Sequence, residues 1–244
     1  MSDRAARSRS FETVAGEYER HRPDYPEDAL RWAAEELGLV EGARVLDVGA
    51  GTGKLTRGLV ALGFEVVAVE PGGPMLAELR KAVPAAEAHE APAESIPLAD
   101  ANVDAAFAGQ AFHWFDPARA LPELHRVIRP GGGLGLLWNW WDERDPLQRE
   151  LGELVGFRGH VPYREEALPG GPWFRELGRT VVESVEDSSP DALVGYLSTA
   201  SRYLTMEQEE RERQLAEVRA IAARYGEQFR LPRLTYVFVF ARIS

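Results

Sequence analysis

The chain has 244 residues, with 28 basic and 39 acidic side chains, a formal net charge of −11 and no cysteine. That length can bury one large α/β core, the missing cysteine excludes disulfides, thiolate zinc sites and a cysteine nucleophile, and the charge opposes long-range attraction to phosphate backbones and anionic membranes. With no apolar run of about 18 residues and no signal-peptide pattern, the expectation is a cytoplasmic enzyme acting on a small molecule, without nucleic-acid or membrane partners and with its oligomeric state open.

Met1 to Ser10 is polar, with Arg4, Arg7 and Arg9, and reads as a frayed end. From Pro26 to Leu39, residues Ala29, Leu30, Ala33, Ala34 and Leu37 recur at helical spacing, and Gly38 supplies the stop. Val45-Leu46-Asp47-Val48 is an apolar strand that runs into Gly49, Gly51 and Gly53. Leu55 to Leu62 is the helix after this turn, closed by Gly63, and Val66-Val67-Ala68-Val69 is a second strand ending at Glu70. Met75 to Val83 and Ala118 to Ile128 are further helices, and the alternation of strands and helices predicts a parallel sheet covered on both faces. Between Asp142 and Leu177 no strand is apparent, and prolines, glycines and aromatics accumulate, among them Pro162, Tyr163, Pro172, Trp173 and Phe174. Thr180 to Val185 then reads as a strand, Asp191 to Thr199 and Met206 to Tyr225 as helices, and Leu234 to Ala241 as a final strand. No internal repeat or low-complexity linker interrupts the chain.

The strand, glycine turn, helix, strand and acid form the entrance of a nucleoside-binding βαβ unit. Glycines at the carboxyl end of a strand let the backbone turn sharply and let a ligand lie against the main chain, and an acid closing the next strand can accept from both hydroxyls of a ribose. A phosphate-cradling P-loop would need glycine where Val48 stands and Ser or Thr where Leu55 stands. A dinucleotide fingerprint would need glycine at the sixth position from Gly49, which is Lys54, so a nicotinamide-linked oxidoreductase is disfavoured.

Asp47 two residues before Gly49, with glycines at 49, 51 and 53, resembles the first motif of class I S-adenosylmethionine (SAM) methyltransferases. The stretches Ala93-Glu94-Ser95-Ile96-Pro97-Leu98 and Val103-Asp104-Ala105-Ala106-Phe107 resemble the adenine-side loop and fourth strand of the type 11 group. Arg126-Val127-Ile128-Arg129-Pro130-Gly131-Gly132 resembles that group's helix-turn-strand passage into Leu134 to Trp138. Phe11, Ala15, Tyr18, the run Arg22-Pro23-Asp24-Tyr25-Pro26 and Gln110-Ala111-Phe112-His113-Trp114-Phe115 resemble the trans-aconitate methyltransferase-like subgroup. The resemblance covers residues 11 to 140 and leaves 142 to 233 without a counterpart.

It implies a Rossmann-like, seven-stranded, mostly parallel sheet of order 3-2-1-4-5-7-6 with helices on both faces, the last two strands antiparallel. The domain would divide into an amino-terminal cap (1–40), a SAM-binding core (41–140), a substrate cap with the last helices (141–233) and the final strand (234–244). For the cofactor, with S-adenosylhomocysteine as product, it implies Asp47 orienting the glycine loop and the methionyl amino group, Gly49, Ala50 and Gly51 along the ligand, and Glu70 and Pro71 at the ribose. Ala93 and Glu94 would line the adenine edge, Gln110 the carboxyl edge of the fourth strand, and Tyr18 and Arg22 the methionyl part. Pro92 departs from the pattern, because relatives place an acceptor acid there and a proline offers none.

Tyr25, Phe112, His113, Trp114 and Trp138 are the candidates for the acceptor pocket, where open parallel sheets place their ligands. His113 stands as general base, substrate hydrogen-bond donor or structural histidine. Lys54 reads as a solvated first-turn residue, Arg22 alternatively as a surface ion pair with Glu19 or Asp24, and His125 as structural. His21, His89 and His160 lack partners at ligand spacing, so no metal site is expected. The expected activity is methyl transfer to a small molecule, with oxygen of a carboxylate or hydroxyl favoured. The alternatives are non-methyl chemistry on the same site, such as intramolecular cyclisation of SAM, or SAM binding without catalysis.

Overall fold

The computed structural model describes residues 14–156, 163 and 168–244, so Met1 to Ser10, Phe11, His160 and Pro162 lie outside the described residues. In chain order the elements are α1 (Ala15–His21), α2 (Glu27–Glu36), β1 (Arg44–Val48), α3 (Lys54–Ala61), β2 (Glu65–Glu70), α4 (Gly73–Ala82), β3 (Glu87–Glu90) and β4 (Val103–Gly109). A single 3-10 turn, Phe112–Trp114, leads to α5 (Pro117–Val127), β5 (Ile128–Trp141), α6 (Pro146–Val155), β6 (Phe174–Ser188), α7 (Pro190–Ser198), α8 (Ser201–Leu204), α9 (Gln208–Ala223) and β7 (Phe229–Arg242).

The seven strands form one sheet of order β3-β2-β1-β4-β5-β7-β6, the order expected. β1 pairs in parallel with β2 (Val45 opposite Val66) and with β4 (Val45 opposite Ala105), and β4 pairs in parallel with β5. β1, β2 and β4 are buried along nearly their whole length, which is why they read as continuous apolar runs.

The chain clusters into two compact units. One comprises Asp24–Asn139, Tyr163–Val182 and Thr235–Ser244. Its strands alternate their side chains between two cores. Leu46, Val48 and Val67 pack with Phe112, Phe115, Leu124 and Val127 on one face. Val45, Val66, Ala105 and Phe107 pack with Ala29, Leu30, Leu55 and Leu59 on the other. The second unit comprises the described parts of Met1–Pro23, Trp140–Pro162 and Glu183–Leu234, and its core joins Trp141, Leu147, Leu151 and Val155 to Leu193, Leu197, Tyr203, Val218 and Leu231.

Three differences from the sequence reading have plain causes. β3, with the sequence Glu87-Ala88-His89-Glu90, has no apolar alternation to announce it and is held by its pairing with β2. α6 lies inside the stretch rich in proline and glycine; Pro146 begins it, Asp145 caps it by accepting from the Gln148 N–H at 2.9 Å, and Leu147, Leu151 and Val155 form its buried stripe. β6 begins at Phe174, earlier than the predicted Thr180, because its half-polar alternation is that of an edge strand.

Candidate functional site

The carboxyl ends of β1 and β2 are tied together by the glycine turn. The N–H groups of Gly49 and Ala50 both donate to the Val69 carbonyl, at 2.8 and 3.1 Å. Gly49 (φ 68°), Gly51 (φ 58°) and Gly53 (φ 91°) all occupy the left-handed region, where a side chain is strained. At Gly49 a Cβ would also sit 2.6 Å from the Ala111 Cβ, so the first glycine is required on two counts.

Glu70, at the end of β2, accepts from the Gly51 N–H through Oε2 (2.9 Å) and from the Gly72 N–H through Oε1 (2.8 Å). Its carboxylate therefore fixes both the glycine turn and the entry to α4, which sequence reasoning about a ribose contact did not foresee.

Asp47 is fully buried on β1. Its Oδ2 accepts from the Thr56 hydroxyl at 2.6 Å, while Oδ1 has no hydrogen-bond partner among the described residues, and neither does the buried Thr52 hydroxyl. Burial pushes the Asp47 carboxyl up to about 7; the Thr56 bond opposes this and the nearby Glu70 charge adds to it. Thr52 and Thr56 were not singled out in the sequence, although both stand within four residues of a motif glycine.

The loop expected at the adenine edge is pinned from below. Arg126 donates to the Leu98 carbonyl (2.7 Å), the Ile96 carbonyl (2.9 Å) and the Glu123 carboxylate (2.8 Å), and Glu123 accepts from the Ile96 N–H at 2.9 Å. Ala93 is buried in the core. The Glu94 Oε1 accepts from the Asp116 N–H at 2.7 Å, a bond that leads into the cap of α5. Pro71, next to Glu70, is exposed.

At the ends of β4 and β5, Gln110 takes a left-handed backbone (φ 55°) unusual for its residue type. It is held there by bonds from its N–H to the Leu137 carbonyl (2.9 Å) and from Nε2 to the Asn139 carbonyl (2.6 Å). The buried Asn139 side chain accepts from the Thr235 hydroxyl (2.7 Å) and donates to the Asp24 carbonyl (3.1 Å), so one amide joins three distant segments. Next to it, a Cβ on Gly109 would lie 2.5 Å from the Tyr25 hydroxyl, which places that ring against the end of β4. Asn139→Ala removes one buried and one part-buried side-chain bond, and a loss of about 2 kcal/mol of folding stability is expected in urea unfolding. A midpoint unchanged from wild type would deny Asn139 this role.

The aromatic stretch divides between core and surface. Phe112 (3% exposed) and Trp138 (1%), expected on the acceptor side, are packed in the core. Trp114 is only partly buried and lies 4.8 Å, centroid to centroid, from the His113 ring. The Trp138 indole N–H donates to His113 Nδ1 at 3.4 Å. Because an indole only donates, His113 Nδ1 is the acceptor of this bond. His125 is structural, its Nε2 bonded to the Ile243 carbonyl at 2.7 Å. Lys54 is not solvated as expected: it is largely buried and its ammonium lies 3.4 Å from Asp24, which also pairs with Arg57.

In the other unit the Arg22 Nε donates to the Thr199 hydroxyl at 3.0 Å, and its guanidinium lies over the rings of Tyr18 (5.1 Å) and Tyr196 (4.6 Å). Arg233 lies over the same Tyr196 ring at 4.5 Å. Burial pushes the Tyr196 phenol up, and the two guanidiniums more than offset it, leaving it below its ordinary value. Among the described residues no group of three or more histidine, aspartate or glutamate side chains could hold a metal ion, and no helix is long and apolar enough to cross a membrane.

A doubly wound sheet with a glycine turn after its first strand and an acid closing its second defines a nucleoside-binding enzyme of the Rossmann-like class. A methyltransferase domain family matches residues 46–136. An uncharacterised methyltransferase of Mycobacterium tuberculosis is 46% identical over 216 residues, covering 88% of this chain and 86% of that protein. The solved structure of a putative type II methyltransferase from Anaeromyxobacter dehalogenans is 30% identical and superposes with a TM-score of 0.67, over 89% of this chain and 97% of that one. A malonyl-[acyl-carrier protein] O-methyltransferase of Enterobacter lignolyticus is 36% identical over 187 residues, 68% of this chain and 74% of that protein. The chain belongs to the class I SAM-dependent methyltransferases, and SAM is its methyl donor.

The residues present fit that donor. The unpartnered Asp47 Oδ1 and Thr52 hydroxyl border the glycine turn, and the Glu70 carboxylate, an acceptor-only group, closes the neighbouring strand.

Proposed function

We propose that this methyltransferase esterifies a small carboxylic acid, with Glu70 accepting from the ribose hydroxyls of SAM and Asp47 facing its methionyl amino group. SAM supplies the activated group, an electrophilic sulfonium methyl with a neutral thioether as leaving group. The chain's own residues then have to orient the acceptor and exclude water, and alignment alone can contribute roughly 7–11 kcal/mol. Gln110, Tyr25, Trp114 and His113 are the proposed acceptor-side residues.

The observation that carries the choice of a carboxylate is the bond from Trp138 to His113 Nδ1. That bond engages Nδ1 as an acceptor, so this nitrogen is not offered as the base that a proton-bearing acceptor would need. A hydroxyl, amine or carbon acid would have to lose a proton during transfer, whereas an ionised carboxylate forms its new C–O bond with no proton moving. The name of the Enterobacter lignolyticus relative supports oxygen as the acceptor atom, and a net charge of −11 supports a small molecule over a nucleic acid.

Incubation with methyl-labelled SAM and a panel of carboxylic acids, alcohols and amines tests this reading. Methyl esters release labelled methanol in mild alkali, and label found only in alkali-stable ethers or amines would overturn it. With the acid acceptor so identified, His113→Ala is expected to lower kcat less than about tenfold, with no pH step removed, because general-base catalysis would cost 10²–10⁴. A fall within that larger range, together with loss of a step near neutral pH, would make His113 the base and the acceptor a weak acid.

A further inference from the structure

β6 stands at the edge of the sheet, is 15 residues long, and contains neither proline nor lysine, the residues that most often protect such an edge from pairing. Its odd-numbered residues are all exposed: Arg175, Leu177, Arg179, Val181, Glu183, Val185 and Asp187. Leu177 (40%), Val181 (47%) and Val185 (50%) supply three of the five exposed large hydrophobic side chains among the described residues. They recur every fourth residue, so they stand in one row on one face of one continuous strand.

The order of charges along that row is self-complementary about Val181. Two arginines precede it and two acids follow it at mirror positions. We infer that β6 pairs antiparallel with β6 of a second copy of this chain, across a twofold axis at Val181, to make a symmetric dimer. In that register Arg175 faces the partner's Asp187, Leu177 the partner's Val185, Arg179 the partner's Glu183, and Val181 the partner's Val181. An isologous contact requires this reciprocity, and cross-strand pairs of opposite charge or of apolar side chains favour it.

The local ion pairs do not oppose the dimer. Glu183 pairs with Arg144 (2.7 Å) and Asp187 with Arg230 (3.5 Å), all four side chains being well exposed, and such pairs contribute little on their own. On the other face Glu176 would face the partner's Glu186. Each already accepts from an arginine of its own chain, Glu176 from Arg179 (2.7 Å) and Glu186 from Arg233 (2.8 Å), so neither enters as a bare charge.

Sedimentation velocity over a concentration series, on the full chain, reads the association. Wild type is expected to dimerise. Arg179→Glu and Glu183→Arg each place like charges opposite one another twice, by symmetry, and each should raise the dimer dissociation constant at least about tenfold. The double variant Arg179→Glu/Glu183→Arg should recover part of the loss, Glu176 having lost its arginine, and such a rescue is one that damage to the fold would not produce. Since the chain lacks cysteine, Val181→Cys adds a second readout. Opposed strand residues lie within disulfide reach, so mild oxidation should give a covalent dimer, whereas Val40→Cys, at an exposed position elsewhere (72%), should not. A wild type that stays monomeric throughout, single variants that associate like wild type, or a double variant without rescue would overturn the pairing.

Discussion

Replacing Glu70 with Ala is expected to weaken SAM affinity by roughly 10- to 150-fold, which corresponds to the roughly 1.5–3 kcal/mol typical of hydrogen bonds to a charged group. The same carboxylate holds the Gly51 and Gly72 N–H groups, so the variant loses the shape of the turn as well as the proposed ribose acceptor. Glu70→Gln separates the two effects. It keeps one oxygen for a backbone N–H but has no second acceptor, and its affinity should fall between wild type and Ala. Calorimetric titration with SAM and with S-adenosylhomocysteine is the measurement, with circular dichroism to establish that each variant is folded. Wild-type affinity in folded Glu70→Ala would place this residue outside the cofactor site.

For Asp47 the larger effect is on stability as a function of pH. The folded-state carboxyl titrates near 7 against an ordinary value of 3.8, so between these values the folded state binds more protons than the unfolded one. Stability from this group is therefore fully present below about 3.8 and is lost as pH rises through about 7, by roughly 4 kcal/mol if no other group compensates. Desolvation is the main cause, and the Glu70 charge adds to it. Asp47→Asn cannot titrate but can still accept from Thr56, so its unfolding free energy should vary less steeply over this window. Urea unfolding at several pH values between 4 and 8, with wild type and variant in parallel and without SAM, reads the difference. Parallel curves would mean that Asp47 is ionised throughout and that solvent or the chain stabilises its charge.

The chain order around the glycine turn was legible because every determinant there is local. Val45 to Glu70 contains two apolar strands, the glycines that the turn requires and the acid that closes it, all within 26 residues, and the structure places them as the spacing implied. The same holds for α2, whose apolar positions repeat on one face, and for the place of Asp47 on a buried strand. Where the determinants are far apart in sequence, the pattern was silent or misleading. The aromatic run from Phe112 to Phe115 carries no sign of which ring turns inward; the assembled core takes in Phe112 and leaves Trp114 only partly covered.

Residue types and their spacing were thus enough to determine the nucleoside-binding βαβ unit, the order of strands by family resemblance, and the absence of any cysteine chemistry. Tertiary structure alone decided the protonation geometry of the site and its supports. Asp47 has its raised titration chiefly because it is fully buried on β1, with the Glu70 charge adding to it. Gln110 keeps a strained backbone because Asn139, 29 residues away, accepts from its side chain, and Asn139 is in turn held by Thr235, a further 96 residues on. Arg22 is placed against Tyr18, Tyr196 and Thr199, the last two more than 170 residues away. Hydrogen bonds and desolvation depend on distances of a few ångströms in space, and a linear pattern carries that information only where neighbours in the chain are also neighbours in the fold.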